Sequence, residues 1–210
     1  MHKFGLLFLT IIVLFAEPYI KGSLLKAVEK KYGKFAKNRF ILLDKELEVL
    51  RGKSDFKKLE GVNDFYNNTP YLSDIKNYGR KDYWATPWEL LGRDKGDCED
   101  YVIAKYFALK HLGVSTKKLY FSYVKSLKYR QAHMVLTYFK TPKSIPLVLD
   151  NYNLKIFPAD KRRDLIPVYN FNGDSLYLAK KKGRQGKAVK SDRTHKKWDI
   201  LVNNIKRNKL

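Results

Sequence analysis

The sequence has little to cross-link with and little negative charge. It holds one cysteine, two methionines and four histidines in 210 residues, and 21 acidic residues against 43 Lys and Arg, for a formal charge of +22. One cysteine excludes an internal disulfide framework and a multi-cysteine zinc site. No apolar run reaches the roughly 20 residues an ordinary spanning helix needs. The longest uncharged apolar stretch, Phe4 to Ala16, has thirteen residues. It follows the basic start Met1-His2-Lys3 and fits the core of a secretory signal ending near Ala16, an uncleaved anchor or a buried first helix. What remains is rich enough to fold: 44% of residues are hydrophobic and 14% aromatic, which excludes wholesale disorder.

The pattern after the apolar run is helical first. Leu24, Leu25, Val28, Phe35, Phe40, Leu43, Leu47 and Leu50 recur at helical spacing, with a break at Gly33. Further helices are expected over Asp55–Asn68, Tyr71–Tyr78 and Tyr83–Leu91. The densest apolar segment, Cys98–Leu112, reads as a central buried helix closed by Gly113. Strands follow at Leu119–Leu127, His133–Phe139 and Leu147–Asp150, with shorter segments around Ile156-Phe157 and over Val168–Leu178. Helices followed by strands predict an α+β domain with an antiparallel sheet. The domain spans 23–180, after a signal or anchor at 1–16 and before a basic tail at 181–210. Residues 180–210 carry twelve Lys or Arg against Asp192 and Asp199, and Trp198, Ile200, Leu201, Val202 and Ile205 there fit a short docked helix.

The cysteine sits in Gly96-Asp97-Cys98-Glu99-Asp100, at the start of the central helix. Asp97 is a natural N-cap, which places Cys98 in the first turn. The helix dipole there lowers a thiol pKa and the adjacent acids raise it. A cation bound by Asp97, Glu99 and Asp100, with Asp94 upstream, would relieve that opposition, because Ca²⁺ takes carboxylate oxygens. The alternative is that these acids only cap the helix. A nucleophilic thiol also needs a base and an orienting group. If the strands starting at His133 and ending at Asp150 are antiparallel neighbours, both residues lie at one sheet edge, where the helix carrying Cys98 completes a Cys–His–Asp triad.

Five separated blocks stand in one order: Trp84 to Leu91, Gly96 to Tyr101, Ala104 to Leu109, His133 to Leu136 and Leu147 to Asn151. Together they resemble the bacterial transglutaminase-like cysteine proteinases, whose characterised members are the LapG-type periplasmic proteases. The resemblance covers about residues 40–180. It implies a papain/transglutaminase-like fold, with an N-terminal helical part and a central catalytic helix packed on an antiparallel sheet. It implies a calcium-dependent cysteine endopeptidase of the periplasm that clips the N-terminal region of a large surface adhesin near a pair of alanines. Such cleavage releases the adhesin and controls biofilm attachment, and an inner-membrane LapD-type cyclic-di-GMP receptor sequesters the protease. By motif, Cys98 is the nucleophile, His133 the base, Asp150 the orienting carboxylate, and Asp97, Glu99 and Asp100 the calcium positions. Two other classes compete. One is a transglutaminase or acyltransferase of the same fold. The other is a non-catalytic basic module for nucleic acid or anionic membrane, for which no nucleic-acid-binding signature is present. The basic tail suits contact with an anionic membrane surface, and export argues against a nucleic-acid partner.

Overall fold

The computed structural model describes residues 17–172, 176–179, 185–189 and 192–210. The apolar run at 4–16 and the basic residues 180–184 lie outside the described residues. Six helices come first: α1 (Gly22–Tyr32), α2 (Lys34–Leu50), α3 (Asp55–Asn67), α4 (Asp74–Tyr78), α5 (Pro87–Arg93) and α6 (Cys98–His111). Seven strands follow: β1 (Leu119–Ser126), β2 (Gln131–Tyr138), β3 (Leu147–Leu149), β4 (Phe157–Pro158), β5 (Leu165–Phe171), β6 (Leu176–Ala179) and β7 (Gln185–Val189). Helix α7 (Asp192–Lys206) closes the chain. The strands form one antiparallel sheet in the order β4-β3-β2-β1-β5-β6-β7.

Local chemistry sets the element ends. Gly33 breaks α1 from α2 with φ +84°, a conformation that costs glycine little. Ser54 begins α3 by accepting the Lys57 N–H. Helix α4 is shorter than the predicted Tyr71–Tyr78 segment, because the chain stays extended after Pro70 and pairs Tyr71 with Gly96 in an isolated bridge. The predicted 83–91 helix starts only at Pro87. Thr86 caps it by accepting the Glu89 N–H at 3.0 Å, and proline at the first helical position gives up no bond.

Helix α6 is the centre of the fold. Tyr101 to Tyr106, Ala108 and Leu109 are all buried, so it presents no wet face and must be surrounded. It packs against α3, α5 and β2. On the sheet side Trp84, Phe121 and Phe171 stack, with Phe121 and Phe171 centroids 4.9 Å apart. Trp88, in a block the family resemblance singled out, is core: it packs between Tyr19 and Phe40. Burying this apolar surface around α6 fixes which sheet edge its N-terminus meets, and so positions the site.

Candidate active site

Cys98 is the first residue of α6, as the capping pattern predicts. The Asp100 carboxylate reaches back to the Asp97 N–H (3.3 Å) and also accepts the Ala85 N–H (2.9 Å), so it ties the cysteine loop to the strand-like segment before α5. Gly96 is tight here: a Cβ would press into Leu90 Cδ1 and lie 2.9 Å from Asp100 Oδ2, so any larger residue crowds both side chains.

Strands β2 and β3 pair antiparallel, Leu136 opposite Leu149, and bring His133 and Asp150 together at one edge. His133 Nε2 and Asp150 Oδ1 lie 2.8 Å apart with both side chains fully buried. Asp150 Oδ1 also accepts the Tyr152 N–H at 2.9 Å, and Oδ2 accepts Arg162 Nη2 at 2.7 Å. Burial alone would raise this carboxyl. The bonds from His133 and Tyr152 and the Arg162 charge outweigh it and carry the pKa down to about 2. An ionised Asp150 can only accept, so Nε2 carries the proton of the bond between them. That leaves Nδ1 as the proton acceptor, and Nδ1 is buried with no partner. Cys98 and His133 line the same cleft of about 410 Å³, with Tyr71, Tyr123, Asp82 and Tyr152.

The thiol is not turned to the imidazole. Cys98 Sγ bonds to Glu99 Oε2 at 3.1 Å. Burial first, then the Glu99 charge and bond and the Asp97 charge, push the thiol well above its ordinary value, against a main-chain N–H from Met134. The lowering expected from the helix dipole is outweighed, because burial strips water from the thiolate and the Glu99 and Asp97 charges add to that penalty.

Those acids gather with two that the sequence reading passed over. Asp74, Asp97 and Asp100 form one group with ligand oxygens within 4.8 Å of one another, and Asp74, Asp82 and Glu99 form another. Asp94 does not join them: it closes α5 in a left-handed conformation and faces Arg39 at 3.6 Å. Asp74 and Asp97 are buried, and each keeps one carboxylate oxygen, Oδ1, without a hydrogen-bond partner. Burial and mutual repulsion raise Asp74 to about 6 and Asp97 to about 8, and push Asp100 well up. Buried orphan carboxylate oxygens cost free energy unless a cation meets them. Hard oxygen donors clustered in this way fit a divalent cation such as Ca²⁺.

Three other residues at the site escaped the sequence reading. Tyr152 stacks flat on the His133 ring, 3.9 Å between centroids and 3° between planes, and its hydroxyl accepts from Gln131 at 2.8 Å. Arg162 bridges Asp150 to Asp164. Lys105 is wholly buried on α6 and donates to Asn63 and Asn67 (2.9 and 2.7 Å), while Asn67 donates to the Asp150 carbonyl. Burial lowers Lys105 to about 7. An aromatic two residues past an Asp is a signal too common to single out Tyr152. Its ring holds the imidazole plane, so Tyr152→Leu is expected to lower kcat by roughly ten- to a hundredfold with little change in KM, because small misplacement of a reacting group costs that much. Tyr152→Phe, which keeps the ring, should stay near wild type. Steady-state kinetics of the two variants check this.

A sequence profile of the bacterial transglutaminase-like cysteine proteinase family, BTLCP, matches residues 42–164. No curated protein matches significantly. Calcium-bound LapG of Legionella pneumophila is 36% identical with a TM-score of 0.75, over 89% of this chain and 99% of that one. A second LapG structure from the same organism is 37% identical with a TM-score of 0.74, over 89% of this chain and 95% of that one. An EGTA-treated LapG gives 37% and 0.74, over 92% of this chain and all of that one. The match runs through every element that carries the cleft, and the chain belongs to the bacterial transglutaminase-like cysteine proteinase family.

Proposed function

We propose that this chain is a calcium-dependent cysteine endopeptidase in which Cys98, His133 and Asp150 act as a triad. The observation that carries the reading is His133: its Nε2 is fixed on an ionised Asp150, its Nδ1 is buried and unpartnered, and the residue lines the same cleft as the single cysteine. In the reaction Nδ1 takes the thiol proton and the thiolate attacks the scissile carbonyl. The main-chain N–H of Cys98, at the first helical position and without an intrahelical acceptor, suits the developing oxyanion. His133 then protonates the leaving amine, and water, deprotonated by the same imidazole, releases the acyl group. Asp150 holds the tautomer throughout.

Asp74, Asp82, Asp97, Glu99 and Asp100 would hold the cation. Bound there, it supplies positive charge that offsets the carboxylates now raising Cys98. Supporting this is the cluster's own chemistry, with buried orphan oxygens, and the calcium-bound relative of the same fold.

The substrate is the N-terminal region of a large surface adhesin, cut near an Ala-Ala pair in the periplasm. Release of the adhesin controls biofilm attachment, and an inner-membrane LapD-type cyclic-di-GMP receptor restrains the protease. The family membership and the likeness to LapG support this reading. The test is incubation of the full chain with a recombinant adhesin N-terminal fragment, with mass spectrometry of the products. A single cut at the alanine pair is expected; an intact fragment, or amine cross-linking in place of a cut, would overturn it. EGTA is expected to stop cleavage and excess Ca²⁺ to restore it. Undiminished cleavage in EGTA would return the acids to a capping role.

A further inference from the structure

Helix α7 reaches the acid cluster from the far end of the chain. Trp198 fixes its register: the ring lies edge-on to Tyr106 (5.6 Å) and Phe121 (5.4 Å) and stacks on Phe107 (5.9 Å), and Leu201 is buried beside it. One residue before this anchor, Lys197 is delivered to the segment between α4 and α5. Its Nζ ion-pairs with Asp82 Oδ1 and lies 5.3 Å from the Trp84 ring centroid. Asp82 belongs to the group Asp74, Asp82 and Glu99, and the Lys197 charge also acts on Asp74. The chain end returns to the same segment. Lys209 Nζ bonds to Tyr83 Oη and stands 3.8 Å from Glu89, while Thr86 Oγ1 donates to the Lys209 carbonyl at 2.8 Å.

We infer that Lys197 is a built-in counter-ion of the acid cluster that competes with the divalent cation for Asp82, which makes α7 a cation-linked strap. The inference rests on the cation reading of the cluster. An ammonium and a divalent ion on one carboxylate repel each other across a few ångströms, a repulsion that solvent at the 40%-exposed Asp82 side chain reduces but does not remove. Lysine is a compact charge on a flexible stem, and this side chain keeps 27% of its surface in solvent, so it can withdraw when the cation arrives. Two consequences follow. Lys197 weakens cation binding, which keeps the cluster from filling at low cation concentration. By reciprocity the cation weakens the hold of α7 on the Asp82–Trp84 segment. The strap thereby gives one residue of the positively charged C-terminal region a definite task at the site.

The test uses the full chain and Ca²⁺ titrated in a calorimeter. Lys197→Met, which keeps the stem and removes the charge, is expected to tighten the Ca²⁺ Kd about tenfold, within the usual range of coupling between sites. Lys197→Arg should keep the wild-type Kd. Asp82→Asn should weaken binding, and in that background Lys197→Met should have no effect. Hydrogen exchange of wild-type amides at 196–198 should speed up on adding Ca²⁺, a readout that needs no variant to fold. An unchanged or weaker Kd in Lys197→Met, or exchange unaffected by Ca²⁺, overturns the strap while leaving the cation site standing. No Ca²⁺ binding by the wild type overturns both.

Discussion

Cys98→Ala is expected to lose cleavage of the adhesin fragment by on the order of 10⁴-fold or more, since removing a covalent nucleophile leaves only binding and oxyanion stabilisation. The fold should survive. Cys98 occupies the first position of α6, where alanine is well tolerated, and the hydrogen-bond partners described for its sulfur are the Glu99 carboxylate and the Met134 main-chain N–H. The proposed cation ligands remain in place, so the Ca²⁺ Kd of the variant should match the wild type. This separates loss of chemistry from loss of the site. Because the chain has one cysteine, labelling with iodoacetamide is an independent check: one adduct, at Cys98, with parallel loss of activity. Turnover near wild type in Cys98→Ala would remove the thiol from the mechanism.

The elements carrying this chemistry were legible for reasons that are local. Helix α6 announces itself by density: Tyr101, Val102, Ile103 and Ala104 in succession leave no polar face, so only a buried helix accommodates them. Its start is written in Asp97 and its stop near Gly113, and the observed end at His111 is one residue short of the expected one. His133 and Asp150 could be placed at one edge from strand order alone, because antiparallel neighbours put one strand's start beside the other's end.

Other features at the site depend on contacts between residues far apart in sequence, and no local pattern encodes these. Asp74 lies 23 residues before Asp97 yet donates its main-chain N–H to Asp97 Oδ2 at 3.3 Å, a meeting made by the Tyr71–Gly96 bridge. Asp94, close in sequence to the cysteine, turns away because the chain reverses there in a left-handed conformation. Arg162 reaches Asp150 only because β4 pairs beside β3 and the turn after it brings Arg162 back to the end of that strand. Electrostatics were the least legible. The sign of the Cys98 shift depends on burial and on which way Glu99 points, and a linear sequence contains neither.

Asp150→Asn carries the second large effect, and its direction follows from donor counting. The carboxylate accepts three donors: His133 Nε2–H and the Tyr152 N–H on Oδ1, and Arg162 Nη2 on Oδ2. An amide offers one acceptor oxygen and one donor nitrogen. Arg162 and the Tyr152 N–H can only donate and sit on opposite oxygens, so one of them must lose its acceptor; with the oxygen turned to the charged Arg162, the NH₂ faces His133 and the Tyr152 N–H is left unpaired. Nε2 must accept, the ring proton moves to Nδ1, and Nδ1 can no longer take the proton of Cys98. The expected loss in kcat is about 10⁴-fold, the size a wrong tautomer costs in a triad. Stability falls as well, by about 3 kcal/mol, because a buried ion pair loses one partner. That part is acid-sensitive. The folded Asp150 has its pKa lowered to about 2, below its unfolded value, so its contribution is fully present above about pH 4 and lost as pH falls toward 2. Urea unfolding of wild type and variant should therefore converge on acidification, while the activity defect at neutral pH, measured well below the variant's Tm, stays. Near-normal turnover there, with the expected loss of stability, would assign Asp150 to holding Arg162 alone and leave His133 to find its tautomer without it.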